Sequence, residues 1–508
     1  MSSRIHVANL PPPPTSRCKS KTYVSLLTAC TLALVISQSA TAQLLPPLPS
    51  SYKTWNGPSS GGSWGSGPWS GGSPSSGDNV FFAPSTEQAD LSTGNHTVRS
   101  LWFEAGSFYT LNGSGTIELN SGTPTGHVLV VTNDISAPKQ SETNIESDIK
   151  LSGSFGGQDN RARIENWSEG GLRIGGLFKS SDYNVQFGGT GAIHIANRIT
   201  NQDGNRGNSN FYIQGSTGTE ENVHVILSGN NDQSFGGVLR VSDRGFLIVK
   251  ENQALGEGSN KVVQLGGTIG LRSHLEKNLV YEKPGQNNYI GLYGDGIVRI
   301  AGTTKRIGAL YNDGGWNSLE MRMDQTTPET RPTGFGSRGD REGGLELRNQ
   351  VRLTTEFHKL GPGLIVLNNQ YGGGDANQWD KDTHLKAGVL RIANANSLPT
   401  ASNLVFDGGV FGGILELGYG TDFTRSLGTG NNQMRWTGDG GFSAFGGARS
   451  VKIGGGTGLT WGQQYFVQDG HALLLSSRYA NAVITFENAI NLGSDASKLR
   501  EVRVARGE

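Results

Sequence analysis

Cysteine is almost missing from this sequence: there are two in 508 residues, Cys18 and Cys30. Both fall in a leader that reads as removed on export. The mature chain is therefore expected to hold no disulfide, no thiolate metal site and no cysteine nucleophile. An excess of one charge is also lacking, since 43 basic and 43 acidic residues cancel. That removes the electrostatic reason to expect nucleic acid or an anionic membrane as partner. Charged residues make up 17% and hydrophobic residues 34%, both below ordinary globular usage. Proline, at 18 residues, is too scarce for a Pro-rich disordered chain. No convincing run repeats apolar residues at i, i+3, i+4 and i+7, which disfavours alternating strands and helices. No H-x-x-x-H spacing occurs, so a zinc site has no support in the sequence, and neither a metal nor a cofactor is expected.

What is present begins with the leader. Arg4, Arg17, Lys19 and Lys21 form a basic start without an acidic residue. Residues 23–36 (YVSLLTACTLALVI) form an apolar run, and Ala40-Thr41-Ala42 offers a small-x-small cleavage site. This is the anatomy of a secretory signal over residues 1–42. The apolar run is shorter than the about 20 residues a membrane span needs. Lipoprotein processing at Leu27-Thr28-Ala29-Cys30 would leave half of the run downstream of the cysteine. The protein is therefore expected outside the cell or on its surface, associated with an outer membrane.

Glycine is the second feature, at 77 residues, about twice the usual share of roughly 7%. It has no G-x-y period, which excludes collagen. Residues 43–78 are a Gly/Ser-rich lead-in carrying Trp55, Trp64 and Trp69, expected to be a cap that covers the first exposed edge of a solenoid. From residue 79 to 508, strand-like runs of a few residues alternate with Gly, Asn, Asp and Ser clusters. Pairs such as Gly188-Gly189, Gly236-Gly237 and Gly412-Gly413 follow or separate many of them, as tight corners between short strands require. Several runs are apolar at consecutive positions, the pattern of strands shielded on both faces.

Repetition decides between a sandwich and a solenoid. Residues 247–267 (LIVKENQALGEGSNKVVQLGG) align with residues 390–409 (LRIANANSLPTASNLVFDGG) with one gap. The fold expected is all-β: a right-handed parallel β-helix with a Trp/Gly-rich N-terminal cap. Coils of about 23 residues would give roughly 20 of them. Asn252, Asn394 and Asn396 are expected to stack as amide ladders at repeated corners.

The segment Phe357-His358-Lys359-Leu360-Gly361-Pro362-Gly363-Leu364-Ile365-Val366-Leu367, followed by Ala387-Gly388-Val389-Leu390-Arg391-Ile392, resembles the autotransporter-associated β-strand repeat. The opening Thr54-Trp55-Asn56-Gly57 with Trp64 and Trp69 looks similar to the start of such chains. The resemblance implies a passenger-type β-helix, exported and displayed or released, and implies no reaction. It departs from the family in having no C-terminal membrane barrel. The repeat region is expected to be truncated, with outer-membrane attachment only through a C-terminal part missing from this sequence.

Chemistry-bearing motifs are few. Gly61-Gly62-Ser63-Trp64-Gly65 fits G-x-S-x-G but lies in a Gly/Ser tract, where a nucleophile elbow cannot form. The densest polar insertion, Gly374-Asp375-Ala376-Asn377-Gln378-Trp379-Asp380-Lys381-Asp382, supplies the candidate glycan contacts Trp379, Asp380 and Asp382. The indole would stack on a sugar ring and the carboxylates would bind it or act on it. Calcium is a further option there and at Gly294-Asp295-Gly296, although the repeated array of calcium-bound β-rolls is absent. Arg338-Gly339-Asp340 reads as a chance triplet in a polar loop. The function expected is that of a non-enzymatic structural or adhesive stalk, with extracellular polysaccharide or cell-surface components as partners. The alternative is a polysaccharide-active or polysaccharide-binding β-helix.

Overall fold

Short β-preferring runs cut by glycine corners can satisfy their backbone groups only by pairing outside the run. In the computed structural model of this chain, most do so with the equivalent run one coil earlier and one coil later. Of the unit Gln43–Glu508, the structure describes residues 45–507, apart from 58–60, 85–88, 105–107, 121, 123–124, 133–141, 157–158, 216–222, 257–260, 264–265, 274–278, 282–288, 301–302, 326–329, 341, 371–375, 421 and 496. The expected signal segment 1–42 lies outside the described residues.

The strands stack into three faces. The first is a 12-stranded sheet that starts at Lys53–Thr54 and ends at Val351–Arg352. The second is a 16-stranded sheet that starts at Gly62–Ser63. The third is split into a five-stranded sheet between His96–Val98 and Ile199–Thr200 and a nine-stranded sheet from Leu279–Tyr281 to Glu501–Val504. Pairing is parallel throughout these sheets; Val223–Leu227, for example, lies between Ala192–Ile195 and Gly245–Val249. Among the described strands, the one antiparallel pair is the hairpin Ile297–Ile300 with Thr303–Arg306, inserted within a single coil. The fold is thus an all-β parallel β-helix. Its coils are fewer than about 20 and longer than about 23 residues, because insertions such as this hairpin lengthen them. Among the described residues, no helix is long and apolar enough to cross a membrane.

Alternation sets the core. Val223–Leu227 buries every second residue, and the inward side chains of successive coils stack at the strand spacing of about 4.8 Å. Phe335 and Phe357 stack with ring centroids 4.6 Å apart, and Trp379 follows at 5.1 Å. Phe82–Phe103 and Phe406–Trp436 repeat the arrangement, each at 4.7 Å. Each buried large apolar side chain contributes about 1.5–3 kcal/mol. Runs that are apolar at consecutive positions occur on all three faces, and on the third they build an outer cluster. There the outward Leu364, Val389 and Ile414 pack with Leu474 and Tyr479 in a second, outer cluster. Beside them Glu416 is fully buried. It is satisfied by Arg391 Nε, Ser443 Oγ and Ser477 Oγ at 2.5–2.9 Å.

The lead-in is ordered and joins the first coil. Lys53–Thr54 pairs with Val80 and Phe81, and Gly62–Ser63 with Leu91 and Ser92. Trp55, Trp64 and Trp69 are all buried, and the Trp69 indole N–H donates to Trp64 O at 2.8 Å. Parallel stacking therefore starts at Lys53, ahead of the residue-79 onset read from the sequence.

The corner asparagines work differently from the expected ladders. Asn394 does meet Asn368, with Nδ2 3.4 Å from Oδ1, but the buried Asn231 and Asn377 amides bridge backbones. Asn231 Oδ1 accepts from Ile199 N at 2.8 Å, and its Nδ2 donates to Ala254 O at 2.6 Å. Asn377 repeats this between Val351 N and Ser397 O. Each amide thus ties the coil before it to the coil after it, satisfying two corner groups that water cannot reach.

Candidate functional site

Glu356-Phe357-His358 and Asp382-Thr383-His384 occupy matching positions in consecutive coils of the second face, where Phe357 pairs with Thr383 and His358 with His384. Period-two alternation sends Phe357 and Thr383 into the core. It leaves two acid–histidine pairs side by side on the outer surface. The hairpin insertion adds to them: Asp295, just ahead of it, reaches His358. Asp407 and Lys386 complete the row from the following coil and corner.

Contacts around the two imidazoles form a chain. His358 Nδ1 lies 3.1 Å from Asp295 Oδ1, and its Nε2 lies 3.1 Å from Glu356 Oε2. His384 Nε2 lies 3.9 Å from the same Glu356 oxygen and 3.9 Å from Asp382 Oδ2, while its Nδ1 is 3.3 Å from Asp407 Oδ2. The rings meet edge to face at 5.1 Å. Cations hold the outer carboxylates: Arg306 on Asp295 at 3.2 Å, Arg435 on Asp382 at 2.7 Å and Lys386 on Asp407 at 2.6 Å. The His384 hydrogen bond, followed by the Lys386 ammonium, holds the Asp407 carboxyl well below the usual range. His358 is buried, whereas the Glu356 side chain is 44% exposed, so solvent reaches the cluster from one side. The ligand atoms of Glu356, His358 and His384 lie within 4.8 Å of one another, and among the described residues this is the one group of such side chains able to hold a metal ion.

The residues singled out from the sequence distribute unevenly around this cluster. Asp382 belongs to it. Asp380 is exposed, 3.9 Å from Lys381 Nζ, on the rim of a depression of about 410 Å³ bordered by Leu353 and Pro399. Trp379 corrects the expected sugar platform. It is only 3% exposed, stacks on Phe357, and donates its indole N–H to Thr383 Oγ1 at 2.8 Å. Its ring is a rung of the core, because Gln378, not Trp379, carries the outward position of that turn. Gly374 and Asp375 fall outside the described residues. Asp295 is engaged by His358 and Arg306, which accounts for its carboxylate without calcium. Ser63 lies in a two-residue strand against Leu91 and Ser92, with no helix behind it, so no nucleophile elbow forms. The Arg338-Gly339-Asp340 backbone is pinned by Arg478 and by Tyr479 Oη, the latter 3.1 Å from Asp340 O.

Single-motif reading misses the histidine cluster because its two halves lie one coil apart. The signal that finds it is an acid-x-His unit occurring twice at equivalent coil positions. Just inside the same face, Lys359 of the repeat motif points inward and is fully buried. Its Nζ donates to Leu360 O, Gly361 O and Ala387 O at 2.8–2.9 Å, and burial pushes the amine well below the ordinary lysine value.

A scan against protein-family models finds no match, and searches of the curated proteins and of the solved structures find none either.

Proposed function

We propose that the chain is an exported, non-enzymatic β-helical repeat protein, similar to an autotransporter passenger, that serves as a structural or adhesive stalk at the cell surface or after release. The observation that carries the reading is the uninterrupted 16-stranded parallel face, a scaffold whose regular coils hold lateral loops at fixed intervals. The signal anatomy of residues 1–42 and the repeat resemblance at residues 357–367 and 387–392 support it. Cell-surface components or extracellular polysaccharide are the partners this reading expects. Brief protease treatment of intact source cells tests it. Peptides from residues 43–508 should be shed while a cytosolic marker stays intact. Recovery of the chain solely from the cell interior would refute surface display and release together.

One observation favours the second reading, a polysaccharide-binding or polysaccharide-active β-helix. Glu356, Asp382 and His384 gather on one lateral face, as acid–base chemistry on sugars requires, and Asp380 lines a surface depression. Release of reducing or unsaturated sugars from a polysaccharide panel, abolished by Asp382→Ala, would establish this reading over the first.

A further inference from the structure

We propose that Glu356, His358 and His384 bind one divalent transition-metal ion of the zinc class on the outer surface of the second face. Tetrahedral ligands at about 2.0–2.2 Å from zinc lie about 3.3–3.5 Å from one another. His358 Nε2 and His384 Nε2 lie 3.1 and 3.9 Å from Glu356 Oε2, so these separations bracket the required edge. The ligand atoms of all three side chains lie within 4.8 Å of one another.

Asp295 faces His358 Nδ1 at 3.1 Å and Asp407 faces His384 Nδ1 at 3.3 Å. A carboxylate on Nδ1 that leaves Nε2 for the ion is the arrangement that orients metal-ligating histidines. Both Nε2 atoms lie within 3.9 Å of Glu356 Oε2. A nitrogen-plus-carboxylate donor set suits zinc rather than calcium or magnesium. Asp382 Oδ2, 3.9 Å from His384 Nε2 and tied to Arg435, borders the remaining position, on the side where Glu356 meets solvent.

His358 and His384 sit on paired strands, and Phe357, between Glu356 and His358, is locked in the aromatic stack. The ligands are thus presented by a packed scaffold rather than by a loop.

The test uses the full exported chain, stripped with a chelator and titrated with Co²⁺, read by its d–d absorption, and with Zn²⁺ in competition with a chromophoric chelator. One ion per chain with a four-coordinate cobalt spectrum is expected, and Ca²⁺ should not displace it. His384→Gln and Glu356→Gln, both at partly exposed positions, should each abolish the cobalt band while leaving the far-UV circular dichroism unchanged. Asp407→Asn removes no ligand and should weaken zinc binding by about 10–100-fold. Absence of stoichiometric cobalt or zinc binding by the parent chain would overturn the proposal. Binding that survives unchanged in both His384→Gln and Glu356→Gln would do the same.

Discussion

Lys359 runs against its surroundings, a fully buried amine in a core built mainly of aromatic and aliphatic side chains. It is tolerated because three carbonyls, Leu360 O, Gly361 O and Ala387 O, receive its hydrogen bonds. Lys359→Met keeps the volume and removes the donors. It should cost about 2–3 kcal/mol, read as a lowered urea midpoint. His194 makes a second prediction at this scale. Its ring packs against Ser228 Oγ at 2.6 Å; burial foremost, with the Lys250 and Arg173 charges behind it, lowers its pKa from 6.5 to about 4. The unfolded chain therefore takes up this proton first as pH falls. The stabilisation is fully present above pH 6.5 and is lost progressively down to about pH 4. The ring is half-exposed, so the loss is about 1–2 kcal/mol after allowance for solvent screening. Melting temperatures of the parent and of His194→Gln should converge across that window. Parallel pH curves would show that His194 contributes nothing.

At the scale of the element, the inward rungs and the glycine corners decide whether a coil closes. Trp379→Ala removes one rung of the Phe335–Phe357–Trp379 stack and should destabilise by about 3–5 kcal/mol, seen as a lowered thermal midpoint. A loss of glycan binding at unchanged stability would place the indole outside the core. Gly388 has φ +68°, and a Cβ there would come within 2.6 Å of Gly361 O and Gly363 O. The left-handed conformation alone costs an alanine roughly 1–2 kcal/mol, and the overlap adds to it. Gly388→Ala should therefore lower the thermal midpoint more than Gly409→Ala, where a Cβ meets nothing within 4 Å.

Much of this level can be read from the sequence. Strand runs and Gly-Gly corners are local signals; the likeness of residues 247–267 to residues 390–409 signals repetition but not coil position, because Gly245–Val249 lies on the second face and Gly388–Ile392 on the third. What lies across coils cannot be read the same way. The inward rotation of Trp379, the amide bridges of Asn231 and Asn377, and the meeting of Glu356, His358 and His384 depend on which residue stands one coil away. That register shifts with every insertion, as the hairpin between Ile297 and Arg306 shows.

For the whole molecule, each coil touches mainly its two neighbours, so stability is a sum of coil and interface terms. Single substitutions should melt their own neighbourhood before the rest. The same architecture is compatible with many functions, and the account given for this one rests on export. The most direct measurement is the intact mass and N-terminal peptide of the protein recovered from source cells and their medium. The account predicts a chain that starts at Gln43, following cleavage after Ala42, and that is found outside the cytoplasm. A chain that retains Met1 and stays in the cytosolic fraction would contradict it.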